Sequence, residues 1–293
     1  MSVDIVMATY NGAKFVREQI ASIQNQSYTN WRLLISDDSS TDDTVKIIKE
    51  IGTADSRIIL VSDSRQGGVV KNFAKALSSV TAEHICFCDQ DDLWPHDRLQ
   101  RMLDYFIVHE NNQPLMIYTD LTLIDEKDNV IGDSYYAING IKPEENLDFD
   151  LLRWKSSIYG CSTMMNKSLL EIALPFPEQV TMHDHWIGLV ACTQGKVKYF
   201  NYKSVLYRQH SSNVVGGRKK TLLGKIGSIK TNIKKIEDAA LKTLSMQYVL
   251  QERFAIRFSK KSFIINNIYP GLAKTGKKAY TIIFMVCFIK CSI

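Results

Sequence analysis

The 293-residue chain contains neither a GxGxxG nor a GxxxxGK[ST] segment. Both glycine-rich backbone cradles for phosphate at a strand–helix junction are therefore excluded. Its six cysteines are scattered without CxxC pairing, which argues against a structural zinc site and a disulfide framework. Cys86 and Cys88 alternate within an apolar run and read as small buried hydrophobes. Cys287 and Cys291 share a face only if their segment is helical. There are no internal repeats and no low-complexity tracts. The apolar stretch at 280–289 falls short of the roughly 20 residues that cross a bilayer. No leader-like segment precedes the first strand pattern, which begins at Val3. Together these absences lead us to expect a reducing, cytoplasmic compartment.

What is present is unevenly distributed. The net charge of +5 divides into −8 for residues 1–217 and +13 for residues 218–293. An acidic body with a basic tail suggests that the tail meets an anionic surface. The first third alternates apolar runs with helical spacing: strands are expected at 3–8, 31–35, 58–61 and 85–88. Helices are expected at 13–26, after Thr41 or Asp42, and at 69–80. This order implies βαβ units and a mostly parallel sheet. Beyond Pro95, where Asp92 is a candidate cap for a further helix or a structural residue only, the pattern loosens. Extended segments are expected at 115–119 and 121–124, a turn at Asp128-Asn129, a loop over 132–148, and a strand at 160–165. A helix at 183–192 and a strand at 197–207 follow. From Arg218, apolar residues recur at three- and four-residue steps up to Leu244, with lysines between them, as in a basic amphipathic helix. A second basic stretch spans 253–261.

Polar residues follow three of the strands: Thr9-Tyr10-Asn11, Asp37-Asp38 and Asp89-Gln90-Asp91-Asp92. In an open α/β sheet such ends lie on one edge, where ligands bind. Carboxylates crowded there repel one another unless a cation sits among them. A hard divalent metal, held by one or two carboxylates together with substrate phosphates, answers that repulsion. It would also replace the missing glycine cradle. Asp37 reads as a turn residue and Asp38 as a nucleotide contact. His183 and His185 read as a poor zinc pair without a third ligand, with His183 a surface residue and Trp186 core or sugar-stacking. Arg65, Lys71 and Asn72 stay open.

Four segments, taken in order, carry a resemblance: Ala8-Thr9-Tyr10-Asn11-Gly12, Gln24-Asn25-Gln26-Ser27-Tyr28, Asp37-Asp38-Ser39-Ser40-Thr41-Asp42 and Asp89-Gln90-Asp91-Asp92. Over about residues 3–210 the chain resembles the family 2 glycosyltransferases. Trp94 after the acidic run, and His183-Asp184-His185-Trp186, look most like the bacterial rhamnosyltransferase-type branch. The resemblance implies a GT-A (Rossmann-like) α/β fold, with a mixed, mostly parallel sheet flanked by helices. It implies a nucleotide-sugar donor, a divalent metal (Mn²⁺ or Mg²⁺), and inversion at the anomeric carbon. By the same resemblance Asp184 is the catalytic base. Thr9 and Tyr10 line the base pocket, Asp38 accepts the pyrimidine N–H, and Asp89 lies on the ribose side. Asp91 binds metal, with His210 a further metal or diphosphate contact.

The expected organisation is a catalytic domain at 1–217, with nucleotide-binding (1–100) and acceptor-binding (101–217) halves, and a basic helical tail at 218–293. The expected activity moves a sugar, L-rhamnose from a dTDP or related UDP-type donor, to a hydroxyl of a lipid-linked or growing cell-surface polysaccharide. The tail would hold the enzyme peripherally at the inner face of the cell membrane, or form a homodimer; nucleic acid is not expected. Two other readings are a nucleotidyltransferase with a similar metal site, using Lys14 or Arg17 on a triphosphate, and a non-catalytic membrane-associated binding protein.

Overall fold

A computed structural model describes residues 1–210, 242, 243 and 245–256. The helical pattern at 222–241, the apolar segment at 280–289, Cys287 and Cys291 lie outside these residues. Sixteen named elements run along the body, in the order β1 (Val3–Thr9), α1 (Val16–Gln24), β2 (Trp31–Asp37), α2 (Thr44–Ala54), β3 (Ile58–Ser62), α3 (Val69–Leu77), β4 (His84–Cys88), α4 (Arg98–His109), β5 (Leu115–Ile124), β6 (Val130–Gly132), α5 (Tyr135–Asn139), α6 (Phe149–Leu152), β7 (Thr163–Asn166), α7 (Lys167–Ala173), α8 (His183–Gln194) and β8 (Lys196–Arg208). Residues 245–254 add a further helix, α9.

All eight strands belong to one sheet, ordered β3-β2-β1-β4-β7-β5-β6, with β8 also paired to β5. The first four are mutually parallel. β7 runs antiparallel to both β4 and β5, and β8 is parallel to β5. This is the mixed, mostly parallel sheet that the sequence implies. β1 leads to β2 on one side and abuts β4 on the other. The chain order therefore reverses at β1, and the crevice beyond its carboxyl end is where such sheets bind ligands. Ile5, Met7, Leu33, Ile35, Cys86, Phe87 and Cys88 are fully or almost fully buried between helical layers, as their near-continuous apolar runs require. At the opposite edge, fully buried Asp4 is satisfied by Arg32 (2.7 and 2.9 Å) and the amides of Thr81 and Ala82. It is a structural carboxylate.

The structure departs from the sequence reading in five places. The two extended segments near residue 120 are one strand, β5, whose pairing with β8 is irregular at Asp120. The expected loop at 132–148 holds α5 and a 3₁₀ turn, Pro143–Leu147. Ser134 caps α5 and also donates to buried Asp120, so the helix is set by tertiary contacts rather than by apolar periodicity. Gly160–Ser162 is a 3₁₀ turn, and the strand begins only at Thr163. α2 follows Asp43, while Asp42 accepts from the Thr44 amide at 3.1 Å. Asp92 does not cap the helix after Pro95; Asp97 occupies that position.

Candidate active site

The convergence expected of the strand ends is present. Thr9, Tyr10, Asp38, Asp89, Asp91, Asp184 and His210 all line one cleft of about 1060 Å³. Each is delivered by a different local device. Asp38 follows β2, and its carboxylate accepts backbone N–H bonds from Gln66, Gly67 (2.8 Å) and Gly68 (2.8 Å). The two glycines adopt φ of 89° and 118°, which a side chain would resist. Partial burial raises the Asp38 pKa, but the three amides outweigh it and hold the group below its ordinary value. Asp37, by contrast, is fully buried. It accepts from the Thr9 hydroxyl at 2.6 Å and from the Ser40 amide and hydroxyl, also at 2.6 Å. It closes the turn, as expected, and it commits the Thr9 side chain, so Thr9 meets the cleft beside an occupied hydroxyl.

Tyr10 is more than half exposed at the cleft. Its amide donates to Gln90 Oε1 (2.9 Å), and its carbonyl accepts from Gln90 Nε2 (3.1 Å). Gln90 thus latches the end of β4 to the end of β1. Gly12 makes room for the latch: a Cβ there would lie 2.2 Å from Gln90 Oε1.

The acidic run after β4 is electrostatically loaded. Burial, then the charges of Asp91 and Asp184, push the Asp89 pKa up to about 7. Asp92 is almost fully buried and shifted well upward, by burial first and then by Asp91 and Asp89. Its Oδ1 accepts the Arg208 amide at 3.0 Å. Asp91 Oδ2 lies 2.8 Å from His210 Nε2. The two are hydrogen-bonded to each other, and a carboxylate oxygen beside an imidazole nitrogen is a donor pair that a divalent cation could take in place of the shared proton. The unrelieved crowding at Asp89 points the same way. Among the described residues, Asp89, Asp92 and Cys161 also bring donor atoms within 4.8 Å of one another. Burial raises the Cys161 thiol well above its ordinary value, and a protonated thiol is a poor ligand for a hard cation.

Asp184 stands in the first turn of α8 and is almost buried. Its Oδ2 accepts the Gly160 amide (2.9 Å) and its Oδ1 the His185 amide (2.7 Å). Gly160 permits this approach, since a Cβ there would fall 2.8 Å from His183 Nε2. His183 is buried, not at the surface: its ring packs against Phe73 and Phe87 at centroid distances of 4.1 and 4.6 Å. Burial lowers its pKa. His185 Nε2 meets the Leu152 carbonyl at 2.7 Å, so the two histidines do not form a zinc pair. Trp186 is core, with its indole N–H on the Ala173 carbonyl at 2.9 Å.

Sequence reasoning missed Arg208. Its buried guanidinium donates to the Asp91 carbonyl (2.8 Å), pairs with Glu18 (3.1 Å) and Asp128, and lies 4.7 Å from the Phe15 ring centroid. It ties the acidic loop to α1 and to the β5–β6 turn. The only signal was its place two residues before His210 at a strand end. Asn72, left open by the sequence, is buried in the cleft wall and donates to the Thr9 carbonyl at 3.0 Å. Lys14 pairs with Glu126 and Arg17 with Glu50 (2.9 Å), so each cation offered for a triphosphate has a carboxylate partner at the surface.

The family model for Glycosyl transferase family 2 matches residues 4–172. The chain is 31% identical over 227 residues to a dTDP-rhamnosyl transferase, RfbG, of Shigella flexneri, covering 72% of this chain and 73% of that protein. It is 28% identical over 232 residues to the Escherichia coli UDP-Glc:alpha-D-GlcNAc-diphosphoundecaprenol beta-1,3-glucosyltransferase WfaP, covering 78% and 86%. Among solved structures, S. aureus TarS 1-349 aligns with a TM-score of 0.59 at 16% identity, covering 99% of this chain and 81% of that one. A Pyrobaculum calidifontis mannosyltransferase in complex with GDP-Man and Mn2+ aligns at 0.54 and 16%, covering 99% and 85%. These structural likenesses speak to the fold.

Proposed function

The chain belongs to glycosyl transferase family 2 and is a glycosyltransferase; from that premise we propose that it is an inverting, metal-dependent enzyme acting on a lipid-linked or growing cell-surface polysaccharide. The donor is L-rhamnose carried on dTDP, a reading supported by the 31% identical dTDP-rhamnosyl transferase. The lipid-linked acceptor is supported by the relative named for a diphosphoundecaprenol substrate. One observation carries the reading: Asp38, Asp91 and Asp184, far apart in sequence, face a single cleft with the capacity for a nucleotide sugar.

In this reading Asp38 and the strand end at Thr9-Tyr10 receive the nucleotide, and Asp89 lies on its ribose side. Asp91 and His210 would hold Mn²⁺ or Mg²⁺, which as a Lewis acid would offset charge developing on the leaving diphosphate. Asp184 takes the proton of the acceptor hydroxyl as that oxygen attacks the anomeric carbon from the opposite face. Its fixed contacts to Gly160 and His185 hold it for that task. Among the described residues no helix is long and apolar enough to cross a membrane. The charge of +13 over residues 218–293 supports approach to a lipid-linked acceptor at the inner face of the cell membrane through the basic residues of that stretch outside the helix at 245–254, whose Met246, Gln247 and Leu250 are buried against the body.

The test pairs a panel of nucleotide sugars, with and without Mn²⁺, with the Asp184→Asn variant. Metal-dependent stabilisation by one donor is expected. Asp184→Asn should keep donor binding and lose about 10²–10⁴ in turnover. Near-normal turnover by Asp184→Asn would remove the base. Release of pyrophosphate instead of a nucleoside diphosphate would favour nucleotidyl transfer.

A further inference from the structure

We propose that α9 is a brace for the turn that carries Asp184, with Gln247 and Arg253 as positioning residues; the catalytic body then extends to residue 256 instead of ending at 217. The inference rests on Asp184 being the base.

The residues after Asp184 are held at two points. His185 meets the Leu152 carbonyl at 2.7 Å, and the Trp186 indole donates to the Ala173 carbonyl at 2.9 Å. These two carbonyls belong to separate segments, the end of α6 and the end of α7. Their service to Asp184 is to fix its flanks.

α9 grips the same two segments from behind. Gln247, 4% exposed, donates from Nε2 to the Arg153 carbonyl at 2.9 Å, one residue beyond Leu152. Arg253 donates to the Ala173 carbonyl (3.4 Å), the Pro175 carbonyl (2.9 Å) and the Leu174 carbonyl. Its guanidinium carbon lies 6.0 Å from the Trp186 ring centroid. Ala173 O therefore accepts from Trp186 on one side and Arg253 on the other. Met246 and Leu250, 1% and 0% exposed, place the helix firmly in the core. Just ahead of it, Thr243 reaches the lining of the catalytic cleft. A solvated tail would have no reason to bury an amide side chain and order four donor contacts onto one neighbourhood. The arrangement instead restrains both anchors of the turn at once. A misplacement of about 1 Å in such a turn costs on the order of 10²-fold in rate.

The test is made on the full chain. Arg253→Ala and Gln247→Ala should each lower kcat by about ten-fold or more while donor KM stays within about two-fold. Arg253→Lys, which keeps a cation but loses the fork of donors, should recover part of the loss. Hydrogen exchange supplies a readout independent of activity: amides of residues 184–187 should exchange faster in Arg253→Ala, while those of β1 and β2 stay unchanged. Unchanged kcat and unchanged exchange at 184–187 would overturn the brace. Equal loosening of β1, β2 and α8, or equal losses in kcat and donor affinity, would also overturn it, by reducing α9 to general stability. If Arg253→Ala lowers kcat but Asp184→Asn does not, the base assignment fails while α9 still matters. If Asp184→Asn is dead and Arg253→Ala is normal, the brace fails alone.

Discussion

The two halves of the sheet build their shares of the cleft by different means. In β1, β2 and β4 the site residues are the last residue of a buried parallel strand (Thr9) or the next one after it (Asp38, Asp89), so the register of the sheet carries the three to one edge together. Beyond residue 100 the cleft is assembled from a helix start (Asp184), a 3₁₀ turn (Gly160, Cys161) and the residue two past a long edge strand (His210). No shared register brings those together; individual buried polar side chains do. Arg208 joins the second region to the first, and Gln90 is the corresponding latch within the first. The first region follows from strand direction, and the second depends on particular contacts that single substitutions can remove.

If that contrast is right, the most damaging change outside the reacting groups is at Arg208. Arg208→Met keeps much of the stem volume. It removes the donor to the Asp91 carbonyl and strands Glu18 and Asp128 without their cation. Breaking a buried ion pair by deleting one partner costs about 3–5 kcal/mol, and both carboxylates here are half-exposed and can rehydrate. We expect a loss of about 2–3 kcal/mol in denaturant unfolding, with weakened metal-dependent donor binding because Asp91 and His210 lose their common support. A change below about 0.5 kcal/mol, with metal affinity intact, would mean that the second region holds itself together.

A smaller effect should appear as a dependence on pH. The Asp89 pKa is raised in the folded protein, so the folded state binds that proton more tightly than the unfolded chain. Its contribution to stability is full below the unfolded value near pH 4 and is lost as pH rises through about 7. A divalent cation relieves the same repulsion and competes with the proton. The gain in Tm from saturating Mn²⁺ should therefore be larger at pH 8 than at pH 5.5, and Asp89→Asn should flatten the difference. An equal gain at both values would separate the acidic run from the metal.

The same contrast explains what the amino-acid sequence made legible. Strand–helix alternation up to Cys88 is written in apolar spacing, and polar runs that terminate such strands must share an edge. That much placed Thr9, Asp38, Asp89 and Asp91 at the cleft. Ser134, Asp120 and the turn at Gly160 act through tertiary hydrogen bonds with no period, so the sequence pattern at α5 and the 3₁₀ segments is that of loop or strand. Burial of His183 between two phenylalanines from α3 and β4 depends on partners more than 90 residues away. Arg208 illustrates the limit most sharply: arginine is expected at the surface, and polar partners such as the Asp91 carbonyl, Glu18 and Asp128 explain a buried one. Likewise Met246 and Leu250 lie just past the amphipathic pattern that ends at Leu244, within the expected basic tail, whose apolar residues could have met a membrane, a second copy or the body. For residues 245–254 the body is what it meets.

The smallest expected effect probes the first region, where register should leave little for one side chain to do. Gly12→Ala places a methyl group 2.2 Å from Gln90 Oε1 and 2.4 Å from Cδ. The backbone at Gly12 has no positive φ that alanine would resist, so the strain falls on Gln90, which must leave Tyr10. Two partly exposed hydrogen bonds are lost, worth about 1 kcal/mol together in stability. The carboxyl ends of β1 and β4 would still be aligned by their parallel pairing from Val3–His84 to Met7–Cys88. Donor KM should rise several-fold as Tyr10 loosens, with kcat nearly unchanged, because Asp184 is held from the other side of the cleft by Gly160 and His185. A fall in kcat as large as that from Arg208→Met would show that the latch, and not the register, aligns the strand ends.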